Sequence, residues 1–220
     1  MGGFKRHRQR TAAAQQLAGK ILSAGDGLIP MTLPTVLTFV KEWMKRSLKD
    51  GDIAVDATAG NGKDTLYLAQ CVGESGKVYS FDIQHEALEK TSRLLENHQL
   101  HQRVTLLNDG HENAALRIPE NEHTKVKTVI FNLGYLPGGN KAITTRTETT
   151  LQAITLLLER MKSGALIMVV VYPGHQEGKR EKEELEVYAN GLPQQEVQVL
   201  RYEFINQVND PPFLLIFEKR

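Results

Sequence analysis

The stretch 53–65, IAVDATAGNGKDT, constrains the fold more than any other part of the chain. Residues 53–55 are apolar, as expected of a parallel strand that is covered on both faces. Gly60 and Gly62 then allow a sharp turn that a ligand can approach closely. A helix begins near Thr65, and its free N–H groups point back at the turn. The stretch therefore predicts a buried strand, a glycine-rich turn and a helix, as in an α/β sheet.

Three nucleotide-binding patterns compete for this turn. A P-loop needs Gly and Ser or Thr where Ala57 and Asp64 stand. A dinucleotide fingerprint needs a third Gly where Thr65 stands, and Asp56 at the strand end would repel a pyrophosphate. A carboxylate there suits a cationic ligand, and S-adenosylmethionine carries an ammonium and a sulfonium. The pattern Asp-x-x-x-Gly-x-Gly after a hydrophobic strand resembles motif I of class I methyltransferases, with an ordinary βα turn as the alternative.

Two further acidic positions follow predicted strands. Asp82 ends the stretch 76–82, GKVYSFD, twenty residues after Gly62. At this spacing a carboxylate accepts hydrogen bonds from a ribose diol, although Asp82 could equally cap the helix that follows. Asp109 comes after the third predicted strand, where class I methyltransferases contact the adenine amino group; a plain turn residue is the alternative.

The loop 132–140, NLGYLPGGN, follows the fourth predicted strand. Ligands bind at the carboxyl ends of strands in doubly wound sheets. The loop resembles the Asn-Pro-Pro-Tyr motif of amino-methyltransferases, with Leu-Gly in place of Pro-Pro. In this reading Asn132 and nearby carbonyls accept N–H bonds from an amine, and Tyr135 stacks on a base. A glycine-rich surface turn is the alternative.

The remaining elements complete a sheet. A hydrophobic strand at 164–172 precedes His175, which either faces a substrate or caps the next helix. The stretches 196–202 and 213–218 read as a terminal strand pair, and the polar stretch 119–127 reads as a surface loop. The expected fold is α/β: a doubly wound, Rossmann-like class I methyltransferase sheet of seven strands with the last strand antiparallel.

Composition limits the class of protein and its compartment. The sequence of 220 residues contains no apolar run long enough to span a membrane. The single cysteine, Cys71, excludes an intramolecular disulfide framework and fits a reducing compartment such as the cytoplasm. Residues 1–25 carry five basic side chains and no acid, which leaves a net charge of −4 on the rest. A basic extension at 1–30 is expected, as a disordered tail, an RNA-contacting arm, or a plastid or mitochondrial transit peptide, before one domain at 31–220.

Four motifs together identify a family. They are DATAGNGKDT at 56–65, NLGYLPGG at 132–139, YPGH at 172–175 and INQVNDPP at 205–212. From about residue 30 onward the chain closely resembles the family long labelled putative rRNA methylases, whose characterised members methylate 5-aminomethyl-2-thiouridine in tRNA.

The resemblance implies a reaction and its residues. S-adenosylmethionine would donate a methyl group to the aminomethyl nitrogen of the wobble uridine, without a metal. Asn132, Tyr135 and His175 would act in catalysis. The cofactor would be contacted by Asp56, Gly60, Asn61, Gly62, Asp64, Thr65, Asp82, Gln84, Asp109, Gly110, His111 and Asn132.

The implied partner is the anticodon stem-loop of tRNA, and a homodimer stays open. Stacking of splayed bases and phosphate contacts would give affinity, with Lys141, Arg146, Lys179 and Arg180 as candidate phosphate contacts. Competing interpretations are an rRNA or small-molecule amine methyltransferase and a non-catalytic RNA-binding protein. A nicotinamide-dependent oxidoreductase is disfavoured by Asp56 and by the missing third glycine.

Overall fold

The computed structural model describes residues 32–136, 138–139 and 143–220. The predicted basic extension and Lys141 lie outside these residues. In chain order the elements are α1 (Val36–Ser47), β1 (Ile53–Asp56), α2 (Lys63–Cys71), β2 (Lys77–Phe81), α3 (His85–Asn97), β3 (Val104–Leu107), α4 (Ala114–Arg117), β4 (Val126–Asn132), α5 (Thr147–Arg160), β5 (Leu166–Val171), α6 (Gln176–Gly191), β6 (Val197–Tyr202) and β7 (Phe213–Lys219). Short 3-10 helices lie at His101–Arg103, His111–Asn113 and Glu120–Lys125.

The strands form one sheet in the order β3-β2-β1-β4-β5-β7-β6. Strands β1 to β5 pair in parallel, and β7 runs antiparallel to both β5 and β6. The chain moves outward from β1 to β3 and then returns to β4 beside β1. This reversal is the topological switch point at which doubly wound sheets bind ligands. The predicted fold class is confirmed.

Both faces of the sheet are covered, which explains the apolar strands. Successive side chains point to opposite faces of a strand, so Ala54 and Val55 belong to different core clusters. All six residues of β5 are buried. The cluster on one face includes Val40, Met44, Leu68 and Leu95 from α1 to α3. The cluster on the other includes Ile154, Leu157 and Leu185 from α5 and α6.

The predicted surface loop at 119–127 was wrong at its C-terminal end. Residues Glu120–Lys125 form a 3-10 helix, and β4 already begins at Val126. Val126 is fully buried and pairs with Ile53. Tyr79 donates a hydrogen bond of 2.5 Å from its hydroxyl to Glu122 Oε2. Polar residues of this stretch therefore contact the sheet.

No helix among the described residues is long and apolar enough to cross a membrane.

Candidate active site

Asp56, the last residue of β1, is fully buried and accepts hydrogen bonds from two neighbours. Its Oδ2 accepts a hydrogen bond of 2.6 Å from the Thr65 hydroxyl, and its Oδ1 accepts one of 3.1 Å from the Thr58 N–H. The Thr65 hydroxyl also lies 2.8 Å from Ser80 Oγ. Because Thr65 donates to Asp56, Ser80 must donate to Thr65. A chain of hydroxyls therefore joins the ends of β1, α2 and β2.

The charge on Asp56 is costly. Burial, followed by the nearby charge of Asp64, raises the pKa of Asp56 from 3.8 to about 7, and Asp82 adds to the rise. Hydrogen bonds from Thr65 and Thr58 oppose it. Three carboxylates thus surround one glycine turn, and no ion pair in the described part of the chain neutralises Asp64 or Asp82.

The glycine turn needs its glycines for two reasons. Gly60 and Gly62 have φ angles of +53° and +77°, which L side chains rarely adopt. Gly62 is the N-cap of α2, and a Cβ there would lie 2.8 Å from Thr91 Oγ1 and 2.9 Å from Thr91 Cα. At Gly60 a Cβ would meet only Leu136 and Thr58 at ordinary contact distance. A Cβ at Gly60 would therefore make ordinary contacts, whereas one at Gly62 would clash with Thr91.

Asp82 holds the turn from the neighbouring strand. Its Oδ2 accepts from the Gly60 N–H at 2.9 Å, and its Oδ1 accepts from the Gln84 N–H at 2.9 Å. Each carboxylate oxygen keeps capacity for a further donor, as a ribose diol requires. Gln84, rather than Asp82, occupies the N-cap of α3, so the helix-cap alternative for Asp82 is not observed.

Asn132 ends β4 directly beside the motif I turn. Its side-chain Nδ2 donates to Asp64 Oδ2 at 3.1 Å, and its backbone N–H donates to Thr58 Oγ1 at 2.8 Å. Burial raises the pKa of the Tyr172 phenol, as does the charge of Asp64, whereas a hydrogen bond with Asn132 opposes the shift. With its amide nitrogen donating to Asp64, Asn132 keeps a carbonyl oxygen that can accept a hydrogen bond from a ligand.

The loop after Asn132 folds back on itself. Tyr135 forms a β-bridge with Thr144, and its side chain is 39% exposed. The Tyr135 ring centroid lies 6.2 Å from that of His175, with an angle of 52° between the rings. Leu136 is buried, with its Cδ1 at 3.6 Å from the position of a Cβ on Gly60. The structure therefore brings the NLGYLPGG loop, the YPGH segment and the glycine turn together.

His175 caps the following helix, one of the two roles that its position allowed, and its contact with a substrate stays a prediction. It is the N-cap of α6, where its Nδ1 accepts a hydrogen bond of 3.0 Å from the Gly178 N–H, and its ring also pairs with Tyr135. Since Nδ1 accepts, the neutral ring carries its proton on Nε2 and presents a donor. His175 in this arrangement can orient a substrate but cannot take a proton at Nε2.

The fourth motif segment, 205–212, lies against the third. The Asp210 carbonyl oxygen is 3.9 Å from the position of a Cβ on Gly174, and Lys179 Nζ lies 3.2 Å from Asp210 Oδ2. Asn209 and Asp210 adopt positive φ angles of 67° and 46°, which Asn and Asp tolerate better than most residues. All four motifs therefore meet near the carboxyl ends of the central strands.

The candidates after β3 have partners within the protein. Asp109 accepts from the Gly110 N–H and from Asn113 Nδ2, and its Oδ2 lies 3.2 Å from Arg117 Nε. His111 is buried, with Nδ1 at 3.2 Å from the Ala57 carbonyl oxygen. Burial lowers the pKa of His111, although nearby Glu112 opposes the shift. Both residues position this loop, and their contact with a cofactor stays a prediction, as does that of Asn61.

Two of the predicted phosphate contacts are engaged with acids. Arg180 pairs with Glu148 at 2.8 Å and with Glu184 at 2.6 Å, and Lys179 pairs with Asp210. Arg146 is exposed at the N-cap of α5 and forms no ion pair within the described residues. Of the described candidates, Arg146 is therefore the most available to a phosphate.

Thr58, Ser80 and Tyr172 were missed by sequence reasoning. They act through contacts with residues far away in the chain, and Thr or Ser at a strand end has no spacing that marks it. Thr58 and Tyr172 lie inside the motifs at 56–65 and 172–175, so those motifs were the available signal.

The acidic turn fits S-adenosylmethionine. Asp64 and Asp82 offer negative charge to a cationic ligand, Asp82 has free acceptor capacity, and Gly60 and Gly62 place no side chain on the backbone of the turn. Within the described residues, no cluster of His, Cys, Asp or Glu could hold a metal ion. The sheet order and this turn define a Rossmann-like methyltransferase of the class that uses S-adenosylmethionine.

The chain belongs to the family described as "Putative rRNA methylase", whose model matches residues 78–218. A second model, that of protein-L-isoaspartate(D-aspartate) O-methyltransferase, matches residues 21–122. The chain is 39% identical over 180 residues to the chloroplastic tRNA (mnm(5)s(2)U34)-methyltransferase of Arabidopsis thaliana. That match covers 78% of this chain and 65% of the relative.

Solved structures support the same assignment. A putative rRNA methylase from Clostridium thermocellum superposes with a TM-score of 0.82 and 44% identity, over 86% of this chain and all of that one. SMU.1697c, a putative methyltransferase from Streptococcus mutans solved in complex with SAH, superposes with a TM-score of 0.77 and 34% identity. That match also covers 86% of this chain and all of the other. S-adenosylmethionine is accordingly the cofactor.

Proposed function

We propose that the protein is an S-adenosylmethionine-dependent N-methyltransferase that acts on the wobble uridine of tRNA. It converts 5-aminomethyl-2-thiouridine to 5-methylaminomethyl-2-thiouridine. The observation that carries the proposal is Asn132, whose amide is held by Asp64 beside the cofactor turn. The Arabidopsis relative, named as a tRNA (mnm(5)s(2)U34)-methyltransferase, supports the choice of substrate.

Cofactor binding falls to the turn and its acids. When bound, S-adenosylmethionine supplies an electrophilic methyl group. Asp82 would accept from its ribose hydroxyls, while Asp64 and the partly ionised Asp56 would offset its positive charge. Gly60 and Gly62 keep the backbone close to the ligand. These roles give a reason for the three acids around the two glycines, which an ordinary βα turn does not need.

The acceptor amine would be oriented by Asn132. A primary alkyl amine is mostly protonated near neutral pH, so it must lose a proton before its lone pair can attack. The Asn132 carbonyl oxygen would accept one remaining N–H, which aims the lone pair at the methyl carbon. The nitrogen–carbon bond would form as the carbon–sulfur bond breaks, which leaves SAH and a methylated ammonium, so the one proton released overall is the one lost before the attack. Alignment of the reacting atoms supplies much of the acceleration.

The base that carries the amine would stack on aromatic side chains. Tyr135 and His175 are neighbours at the mouth of the site, and an exposed tyrosine ring offers a face to any base. His175 Nε2–H could donate to a base or phosphate oxygen, because Nδ1 is already used as a helix cap. The anticodon loop is the proposed partner, since single-stranded loops present unstacked bases to proteins.

A second candidate acceptor is ribosomal RNA. The family description names it, and residues of this chain are 28% identical to the ribosomal RNA small subunit methyltransferase H of Streptococcus equi over 87 residues. The same cofactor chemistry would then act on another amine. A non-catalytic RNA-binding role fits less well, because the acidic turn and Asn132 are both in place.

The cytoplasm is the proposed compartment, with a plastid or mitochondrion as the alternative. The basic stretch 1–25 is compatible with an organelle leader, and the Arabidopsis relative is named chloroplastic. N-terminal sequencing of the protein purified from its own cells decides between these: an intact stretch supports the cytoplasm, and cleavage within it supports an organelle.

Methyl transfer to competing acceptors tests the proposal. Protein and methyl-labelled S-adenosylmethionine would be incubated with tRNA that lacks the terminal methyl, with an anticodon stem-loop made from it, and with unmethylated ribosomal RNA. We expect label in the tRNA and in the stem-loop. Label in ribosomal RNA alone would replace the substrate but keep the cofactor, and label in none would contradict an RNA methyltransferase.

A further inference from the structure

A buried carboxylate lies behind the loop that carries Tyr135. Glu181 on α6 is 4% exposed, and its Oε1 accepts a hydrogen bond of 3.0 Å from the Thr145 hydroxyl. Glu181 belongs to none of the four motifs, and the proposed reaction does not use it. Its hydrogen bond to Thr145 reaches the segment that lies opposite Tyr135.

Thr145 transmits this contact to the NLGYLPGG loop at 132–139, which is called the substrate loop below. Its Oγ1 accepts a hydrogen bond of 2.9 Å from the Gly134 N–H while donating to Glu181. Its own N–H donates to the Gly134 carbonyl oxygen at 3.1 Å. The bridge between Tyr135 and Thr144 continues this pairing by one residue. A single hydroxyl thus links a helix to the backbone on which Asn132 and Tyr135 are mounted.

Keeping a carboxylate at this place is expensive. Burial raises the pKa of Glu181 from 4.5 to about 7; the Thr145 hydrogen bond opposes the rise, and nearby Glu184 adds to it. No basic side chain of the described residues forms an ion pair with Glu181. A buried carboxylate without an ion pair stabilises a fold less than an apolar side chain of similar volume would. The geometry therefore favours a role in holding the loop over a role in packing.

We propose that Glu181 is a positioning residue, which sets the substrate loop through Thr145 so that Tyr135 and Asn132 receive the acceptor base. The role of this contact in catalysis rests on the proposed function. The contact itself does not, because it is made within the protein alone. The cofactor turn has its own anchors in Asp56 and Asp82, so losing the contact should affect the acceptor and spare the cofactor.

Two pairs of variants separate positioning from packing. Thr145→Val removes the hydroxyl at nearly constant volume, and Thr145→Ser restores it. Glu181→Leu removes the acceptor, and Glu181→Gln keeps an oxygen that can accept from Thr145. Glu183→Gln is the control for loss of charge, because Glu183 is an exposed acid on the same helix and forms no ion pair within the described residues. Each would be measured by amide hydrogen exchange of the 133–145 segment, by SAH affinity, and by kcat and KM for RNA.

Thr145→Val and Glu181→Leu should speed exchange of the 133–145 segment and lower kcat/KM for RNA, each by about tenfold or more. SAH affinity should stay within about twofold. Thr145→Ser, Glu181→Gln and Glu183→Gln should behave like the parent protein. Unchanged exchange, or SAH affinity that falls in step with kcat/KM, would overturn the proposal. If the parent protein methylates no tRNA, the proposed function fails, while the exchange measurement still decides whether Glu181 holds the loop.

Discussion

Asp56 shows how a single side chain links stability to ligand binding. It is fully buried, yet it stands next to Asp64 and Asp82, and its pKa is raised to about 7. An unfolded chain would ionise the same carboxyl near 3.8. Between these values the unfolded state binds fewer protons than the folded state, so stability must fall as the pH rises. The negative charge that attracts a cationic cofactor therefore destabilises the protein without it.

Replacing Asp56 by Asn should remove this pH dependence. Relative to the parent protein, the free energy of unfolding of Asp56→Asn should rise by about 2 kcal/mol between pH 5 and pH 8. SAH affinity should fall because a nearby negative charge is lost. Urea unfolding at both pH values would measure the first effect, with exposed Glu74→Gln as control. An equal pH dependence in variant and parent would show that Asp56 does not titrate in this range.

Asn132 should matter to the reaction and little to the cofactor. Asn132→Ala should lower the rate of a single turnover by about a hundredfold or more, because one group that orients the reacting atoms is removed. SAH affinity should change much less. Asn190→Ala, at the exposed end of α6, is the matched control. Transfer by Asn132→Ala at the parent rate would exclude the orienting role.

Single residues differ in how far the sequence predicts them. Asp56, Asp82 and Asn132 follow apolar strands, and parallel strands end at one edge of a sheet, so their proximity was predictable. Ser80 and Thr58 were not, because each acts on a residue from another element. The same holds for Glu181, which looks in sequence like one more acid in a charged helix.

Among the elements, the turn between β1 and α2 places the strictest requirements on its residues. Its backbone requires a positive φ at Gly62, and α3 approaches so closely that Thr91 occupies the space of a side chain. Gly62→Ala should therefore cost about 2 kcal/mol of stability or more and weaken SAH binding, as measured by thermal unfolding with and without SAH.

The control for this change is Gly191→Ala, at the end of α6. No atom lies within 4 Å of a Cβ placed there, and the φ angle at Gly191 is ordinary. This variant should be neutral or slightly stabilising. If Gly62→Ala were as stable as Gly191→Ala, the close packing of the turn against α3 would be refuted.

Helix ends explain most of the differences at this scale. Helix α5 begins at Thr147 and α6 at Gln176, in both cases several residues before the first large apolar side chain of the helix. The first turns of these helices are polar, so their periodicity carries no signal. His175 caps α6 through its ring nitrogen, a cap that residue preferences do not rank highly.

At the scale of the whole molecule, the sheet order assembles the site. Placing β4 beside β1 brings the NLGYLPGG loop to the acidic turn, although 68 positions separate Asp64 from Asn132. The terminal β6–β7 pair then places the 205–212 segment against the YPGH segment. The family pattern made this architecture predictable, whereas the loop contacts through Thr145 depend on tertiary packing.

RNA binding should depend on charge at one end of α5. Arg146→Gln should weaken tRNA binding and reduce the slope of log K against log salt by about one unit, because one phosphate contact is lost. Lys162→Gln is the control, since Lys162 is exposed beyond the other end of α5, about 20 Å away along the helix. Filter binding at several salt concentrations would measure both, and equal slopes for the two variants would argue against a phosphate at Arg146.

The most direct test of the proposed function is nucleoside mass spectrometry of tRNA that lacks the terminal methyl group. The tRNA would be incubated with S-adenosylmethionine and either the parent protein or Asn132→Ala, then digested to nucleosides. We expect the parent protein to add one methyl group to 5-aminomethyl-2-thiouridine and the variant to add almost none. If the nucleoside stayed unchanged although the parent protein bound SAH, the proposed function would be wrong.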